Sequence, residues 1–193
     1  MELIIVRHGQ TEWTLSGQHT GITDIPLTSE GKREAERLAP VLHRLLSGRS
    51  PVVFSSPRGR AISTAKLSMP NVDFEVDPLL SEYDYGQYEG LTLQEIRAKA
   101  PAWDIWTDGC PGGETTAAVG ARADEFLATR VLPAGPPVIA VTHGHFSRVL
   151  AARALNRAPE DGSIFASSTA SVSIIKDDDE GRSIYLWNLT ATA

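Results

Sequence analysis

Cysteine is almost absent from this chain. Cys110 stands alone, so neither an intramolecular disulfide nor a cysteine-rich zinc site can be built. Long apolar runs are missing as well: no stretch approaches the roughly 20 apolar residues of a membrane-spanning helix, and no membrane partner is expected. Basic residues are in the minority, 18 Lys and Arg against 24 Asp and Glu, for a net charge of −6. That balance argues against general nucleic-acid binding, which needs a basic face to neutralise phosphates. Small anionic substrates remain compatible with it, because the local field of a cleft matters more than net charge. With a first strand expected from Glu2, there is no room for a secretory leader, and the cytoplasm is the default expectation.

At 193 residues the chain suits one core, so a single domain over residues 1–193 is expected. Apolar, β-branched runs occur at 3–6, 52–54, 72–76, 138–142, 172–175 and 184–189. The first, second and fourth are apolar on both faces, as central parallel strands are. Between them, 29–46 carries Ala35, Leu38, Leu42, Leu45 and Leu46 along one stripe, which predicts an amphipathic helix. A second helix is predicted from Ser56 as N-cap with Pro57 at its first position, a third from the capping-box pattern Thr92 to Glu95, and others near 115–130 and 145–156. Glu114 and Thr115 read as the start of one of these. Alternating strands and helices predict an α/β three-layer sandwich, with a mostly parallel central sheet and helices on both faces. The acidic turn "KDDDEGR" reads as a solvated turn of a C-terminal hairpin. The irregular, Trp- and Pro-rich stretch 97–114 reads as an excursion near the active site, a lid or pocket wall.

Ligands of open α/β sheets collect beyond the carboxyl ends of the strands. Four such ends converge here: Arg7-His8-Gly9 after the first, Arg58 after the second, Glu82 after the third and His143 after the fourth. Each residue alone has a bland reading as a core histidine, a surface arginine or an exposed glutamate. Together they form an anion-binding constellation holding a nucleophile and an acid.

The segments "VRHG", "GITDIPLTSEG", "SSPRGRAISTA", "LSEYDYGQYEGL", "PGGET" and "THGHFSRVL" resemble, in order, the signatures of the histidine phosphatase superfamily, the phosphoglycerate-mutase-like fold. The resemblance implies His8 as nucleophile, with Gly9 letting the backbone turn sharply. It implies Arg7 and Arg58 as forks on the phosphoryl oxygens, His143, protonated or donating, as a further member of the charge clamp, and Glu82 as the acid that protonates the leaving oxygen. Glu82 must carry its proton in that step, which points to a mildly acidic optimum. No metal or other cofactor is implied. Thr11, Thr20, Gly21, Gly144 and His145 are candidate phosphate or substrate contacts, and Thr14 stands where many members carry Asn. His19 and His145 have a surface or supporting role as their alternative, and Trp103 and Trp106 wall the pocket or simply pack.

The implied partner is a small phosphorylated metabolite; a homodimer stays open. A broad acid phosphatase is favoured, with a sugar bisphosphatase or a cofactor-dependent phosphoglycerate mutase as alternatives and a non-catalytic phospho-ligand module as the outsider. Against the mutase, residues 90–113 are short, with only Arg97 and Lys99 as cations, and the "TATA" tail is plain.

Overall fold

The computed structural model describes residues 1–191. Along the chain run β1 (Glu2–Arg7), α1 (Glu12–Ser16), α2 (Ser29–Leu46), β2 (Val52–Ser55), α3 (Gly59–Ser68) and β3 (Glu75–Val76). They are followed by α4 (Leu93–Lys99), α5 (Ile105–Asp108), α6 (Thr116–Arg130), β4 (Val138–Thr142), α7 (Gly144–Ala154), β5 (Ser171–Asp178) and β6 (Gly181–Thr190). One sheet has the order β3-β2-β4-β1-β5-β6. Its first four strands are mutually parallel, while β5 and β6 turn back antiparallel as the terminal hairpin.

Each central strand is apolar on both sides because each side faces a helical layer. Ile4, Val6, Ile139 and Val141 meet Leu38, Leu42 and Leu46 of α2 and Ala61 and Ala65 of α3. Leu3, Ile5, Val138 and Ala140 meet Val119 and Phe126 of α6 and Phe146, Val149 and Leu150 of α7. Burial of each large side chain contributes about 1.5–3 kcal/mol, and these two clusters hold the sheet between its layers. Register brings Arg7 level with Thr142, so the ends of β1 and β4 coincide and the residues after them, His8 and His143, emerge together.

Two expected elements differ. The run 72–76 pairs only through Glu75 and Val76, because it lies at the sheet edge and Val76 is exposed. Helix α3 begins at Gly59 with Arg58 as N-cap, later than expected. The Ser56 amide instead donates to the Val141 carbonyl (2.9 Å), so the chain stays in the sheet for one residue more. The stretch 97–114 contributes Trp103, Ile105, Trp106 and Cys110 to the core.

Gly9 does not have a positive φ. What demands glycine there is contact: an added Cβ would lie 2.3 Å from the Gly31 carbonyl oxygen at the start of α2, and one on Gly31 would lie 2.1 Å from the Gln10 oxygen. Replacing Gly9 with Ala is therefore expected to cost about 1–3 kcal/mol of stability. Urea denaturation checks this, and an unchanged midpoint would contradict so close an approach.

Candidate active site

His8 leaves the end of β1 with its backbone pinned on both sides. Its amide donates to Thr142 (3.0 Å) and its carbonyl accepts from Ala170 (3.0 Å). The ring nitrogen Nδ1 is 2.8 Å from the Gly9 carbonyl oxygen, which can only accept, so Nδ1 carries the proton and Nε2 is left with a free lone pair. His8 is 4% exposed, at the floor of a cleft of about 200 Å³. Arg7 lies beside it, held through Nη1 to the Ser167 carbonyl. The Nε of Arg7 is buried with no acceptor among the described residues, a donor left over for an anion. A Cβ on Gly144 would come 3.1 Å from the Arg7 guanidinium carbon, so the bare glycine lets α7 begin directly against that side chain.

Glu82 faces His8 across the cleft and is 7% exposed. Its Oε1 accepts from the amides of Tyr83 (3.0 Å) and Phe146 (2.8 Å), and its Oε2 accepts from the His145 amide (2.9 Å). Two of these donors belong to the first turn of α7, where N–H groups have no partner in the helix. Oε2 retains a lone pair for one further bond.

The cation that organises the floor is Arg60. It is fully buried and donates through Nη1 to Thr23 O (2.9 Å), through Nη2 to Thr20 O (2.9 Å) and Gly21 O (3.1 Å), and through Nε to His143 Nδ1 (3.2 Å). A guanidinium only donates, so His143 Nδ1 is the acceptor and the proton sits on Nε2, which donates to Ser56 Oγ (2.7 Å). His143 is thus a neutral imidazole, where the sequence suggested a member of the charge clamp. It lies edge-on to His8 at 5.1 Å and fully buried. Arg58, the arginine expected to fork the phosphate, is half-buried at the N-cap of α3 and is not on the cleft wall. Helical spacing carries the signal that separates the two: Arg60, Thr64 and Ser68 recur every four residues on the buried face of α3.

Of the remaining expected contacts, Thr14, Thr20, Gly144 and His145 line the cleft, whereas Thr11 and Gly21 do not. Thr11 and Thr14 form the capping box of α1, each hydroxyl bound to the other's amide (3.2 and 2.9 Å). The Gly21 amide is occupied by the Glu89 carboxylate (3.0 Å to each oxygen). His19, weighed as a substrate contact, stacks on His145 at 5.9 Å, and Trp13, Tyr85 and Arg148 join the wall without having been singled out. Trp106 sits behind the wall against His145 (5.4 Å), and Trp103 donates to the Gly109 carbonyl (2.8 Å). Thr115 caps α6, while Glu114 instead binds the Asp84 amide and Arg122. Among the described residues there is no cluster of metal-ligating side chains and no helix long and apolar enough to cross a membrane.

The fold is an α/β sandwich, and its cleft, edged by Arg7 and Arg148 beside Glu82, suits an anionic ligand. The chain matches the histidine phosphatase superfamily (branch 1) model over residues 3–190, and it belongs to that family. It is 43% identical over 189 residues to an acid phosphatase of Mycobacterium tuberculosis, covering 97% of this chain and 92% of that protein. A solved structure of a Mycobacterium tuberculosis open reading frame superposes with a TM-score of 0.93 at 41% identity, covering 99% of this chain and 98% of that one. Sedoheptulose 1,7-bisphosphatase of Saccharomyces cerevisiae is 40% identical over 145 residues, which is 65% of this chain and 54% of that protein.

Burial holds His8, His143 and His145 well below the usual histidine value of 6.5. For His8 the charges of Arg60 and Arg7 add to this, for His143 those of Arg60, Arg7 and Arg58, and for His145 those of Arg148 and Arg7. Unfolding returns each to about 6.5, so below that pH the unfolded chain binds more protons than the folded one. Stability is expected to be full above pH 6.5 and to fall as pH is lowered beneath it. Melting temperatures between pH 7.5 and 5 read this out, and a flat profile would contradict neutral burial of the three rings.

Proposed function

We propose that the protein is a phosphomonoesterase that hydrolyses small phosphate esters through a phosphohistidine on His8, with broad specificity and a mildly acidic optimum. The observation that carries this reading is the His8 ring. Its Nδ1–H is spent on Gly9, and its free Nε2 shares one cleft with Arg7 and Glu82.

In the first step Nε2 attacks phosphorus as the ester P–O bond breaks, and Glu82 gives its proton to the departing oxygen. Glu82 then takes a proton from water, whose oxygen displaces Nε2 from phosphorus and releases inorganic phosphate. Arg7, on the cleft wall, supplies positive charge at the phosphoryl oxygens, and the buried Arg60 adds its field from behind His143; such charge is the larger part of phosphoryl-transfer catalysis. His8 stays neutral in mild acid, so the nucleophile survives there. Against a mutase, residues 90–113 offer the cleft no cation; Arg97 donates to the Trp103 carbonyl (3.4 Å) instead.

A second reading rests on Arg148. It lines the cleft 4.3 Å above the Trp106 ring, donates to the Gly162 and Ser163 carbonyls, and has no carboxylate partner among the described residues. It favours esters whose leaving group carries a second anion, as a sugar bisphosphate does.

Replacing His8 with Ala is expected to lower turnover by at least about 10³-fold with the fold intact. Rapid quenching of the native enzyme should trap an acid-labile, base-stable phosphoprotein; an acid-stable adduct contradicts the mechanism. The acid limb of kcat/KM is expected below pH 6.5, and activity is expected to survive EDTA. A panel of p-nitrophenyl phosphate, sugar monophosphates and bisphosphates, phosphoserine and 3-phosphoglycerate separates the two readings. Similar kcat/KM values support breadth. A dominant bisphosphate, whose advantage Arg148→Met erases, supports the second.

A further inference from the structure

Arg122 lies on α6, away from the cleft wall, yet it donates three bonds into the Glu82 loop. Its Nη1 donates to the carbonyls of Leu79 (2.9 Å) and Ser81 (2.7 Å), and its Nη2 to that of Glu82 (3.4 Å). The same guanidinium forks onto Glu114, Nε to Oε1 (3.1 Å) and Nη2 to Oε2 (3.0 Å). Glu114 Oε2 in turn accepts from the Asp84 amide (2.9 Å), so the pair grips the chain on both sides of Glu82. The guanidinium carbon also sits 4.5 Å from the centre of the Phe146 ring, and the Phe146 amide is the shortest donor to the Glu82 carboxylate (2.8 Å). Glu82 has no ion-pair partner among the described residues, so its direction depends on backbone groups, and Arg122 touches or borders most of them.

We propose that Arg122, locked by Glu114, is a positioning residue that aims the Glu82 carboxyl at the leaving oxygen. The proposal rests on the reading of Glu82 as the general acid. A planar fork with five donors satisfies three carbonyls and a carboxylate at once, which neither lysine nor an apolar residue can do. Loosening this grip leaves His8, Arg7 and Arg60 in place and lets the carboxyl swing. Attack on phosphorus then continues, while proton delivery to the leaving group suffers. The cost should therefore scale with the basicity of the leaving group. Alkyl esters depend on a proton donor, and p-nitrophenyl phosphate, which expels a weakly basic phenolate, hardly does.

The experiment compares single-turnover rates of ester cleavage for glycerol phosphate and p-nitrophenyl phosphate in the native enzyme, Arg122→Met, Glu114→Gln and Glu82→Gln. In Arg122→Met the alkyl ester is expected to slow by about 10–100-fold, against less than about 3-fold for the burst of p-nitrophenol. Glu114→Gln should show the same pattern, smaller, and serves alone if Arg122→Met does not fold. Equal slowing of both esters, or of neither, in the folded variants overturns the proposal when Glu82→Gln discriminates between them. A Glu82→Gln enzyme that treats both esters alike overturns the general-acid reading itself, and the positioning role with it.

Discussion

A guanidinium with no exposure to water must find an acceptor for nearly every N–H it carries, and the site is arranged around how Arg60 does so. Three acceptors are carbonyls of the loop 20–23, and the fourth is a ring nitrogen of His143 at the end of β4. One side chain of α3 therefore joins the loop that edges the cleft to the sheet that floors it. It also decides the state of both histidines. Taking its proton partner from Arg60, His143 must be neutral and turn its own N–H to Ser56, and the Arg60 charge beside His8 helps keep that ring neutral too. A chain with net charge −6 thus presents a cationic cleft, because burial concentrates a few arginines where solvent cannot screen them.

The opposite wall uses backbone instead of charge. Glu82 meets the first turn of α7, whose unpaired amides would otherwise need water, and a third amide from Tyr83 completes the set. Gly144 permits that meeting, since any side chain there would press on Arg7. The two walls are coupled through α7: its N-cap residue is His143, its first residue borders Arg7, and its next two amides hold Glu82. Charge and acid meet at one strand-to-helix junction, beside the nucleophile at the end of β1.

Much of this was legible in the residues. The apolar runs located β1, β2 and β4, the stripe of leucines located α2, and the capping patterns located α4. His8, Arg7 and Glu82 were identified as strand-end residues, and they share the cleft. Legibility failed where a choice rested on a one-turn rotation or a distant partner. Arg58 and Arg60 are two residues apart, and only the helical phase of α3 separates an N-cap from a buried face. Thr11 and Gly21 carry groups suited to phosphate, but a capping box and the Glu89 carboxylate already occupy them. Arg148 and Arg122 carry no local signal, and only the fold places Trp106 and Phe146 beneath them.

The sequence by itself determined the layers, the parallel core of the sheet and the strand ends at which chemistry collects, because hydrophobic period and strand termination are local properties of the chain. Tertiary structure decided which carbonyls the buried Arg60 meets, which nitrogen of His143 carries the proton and what orients Glu82. Those outcomes depend on hydrogen-bond partners 40 to 83 positions away: Thr20 for Arg60, Arg60 for His143, and Phe146 for Glu82. No local pattern encodes a partner at that distance, since pairing is selected only when the packed interior leaves a buried donor a single acceptor to meet.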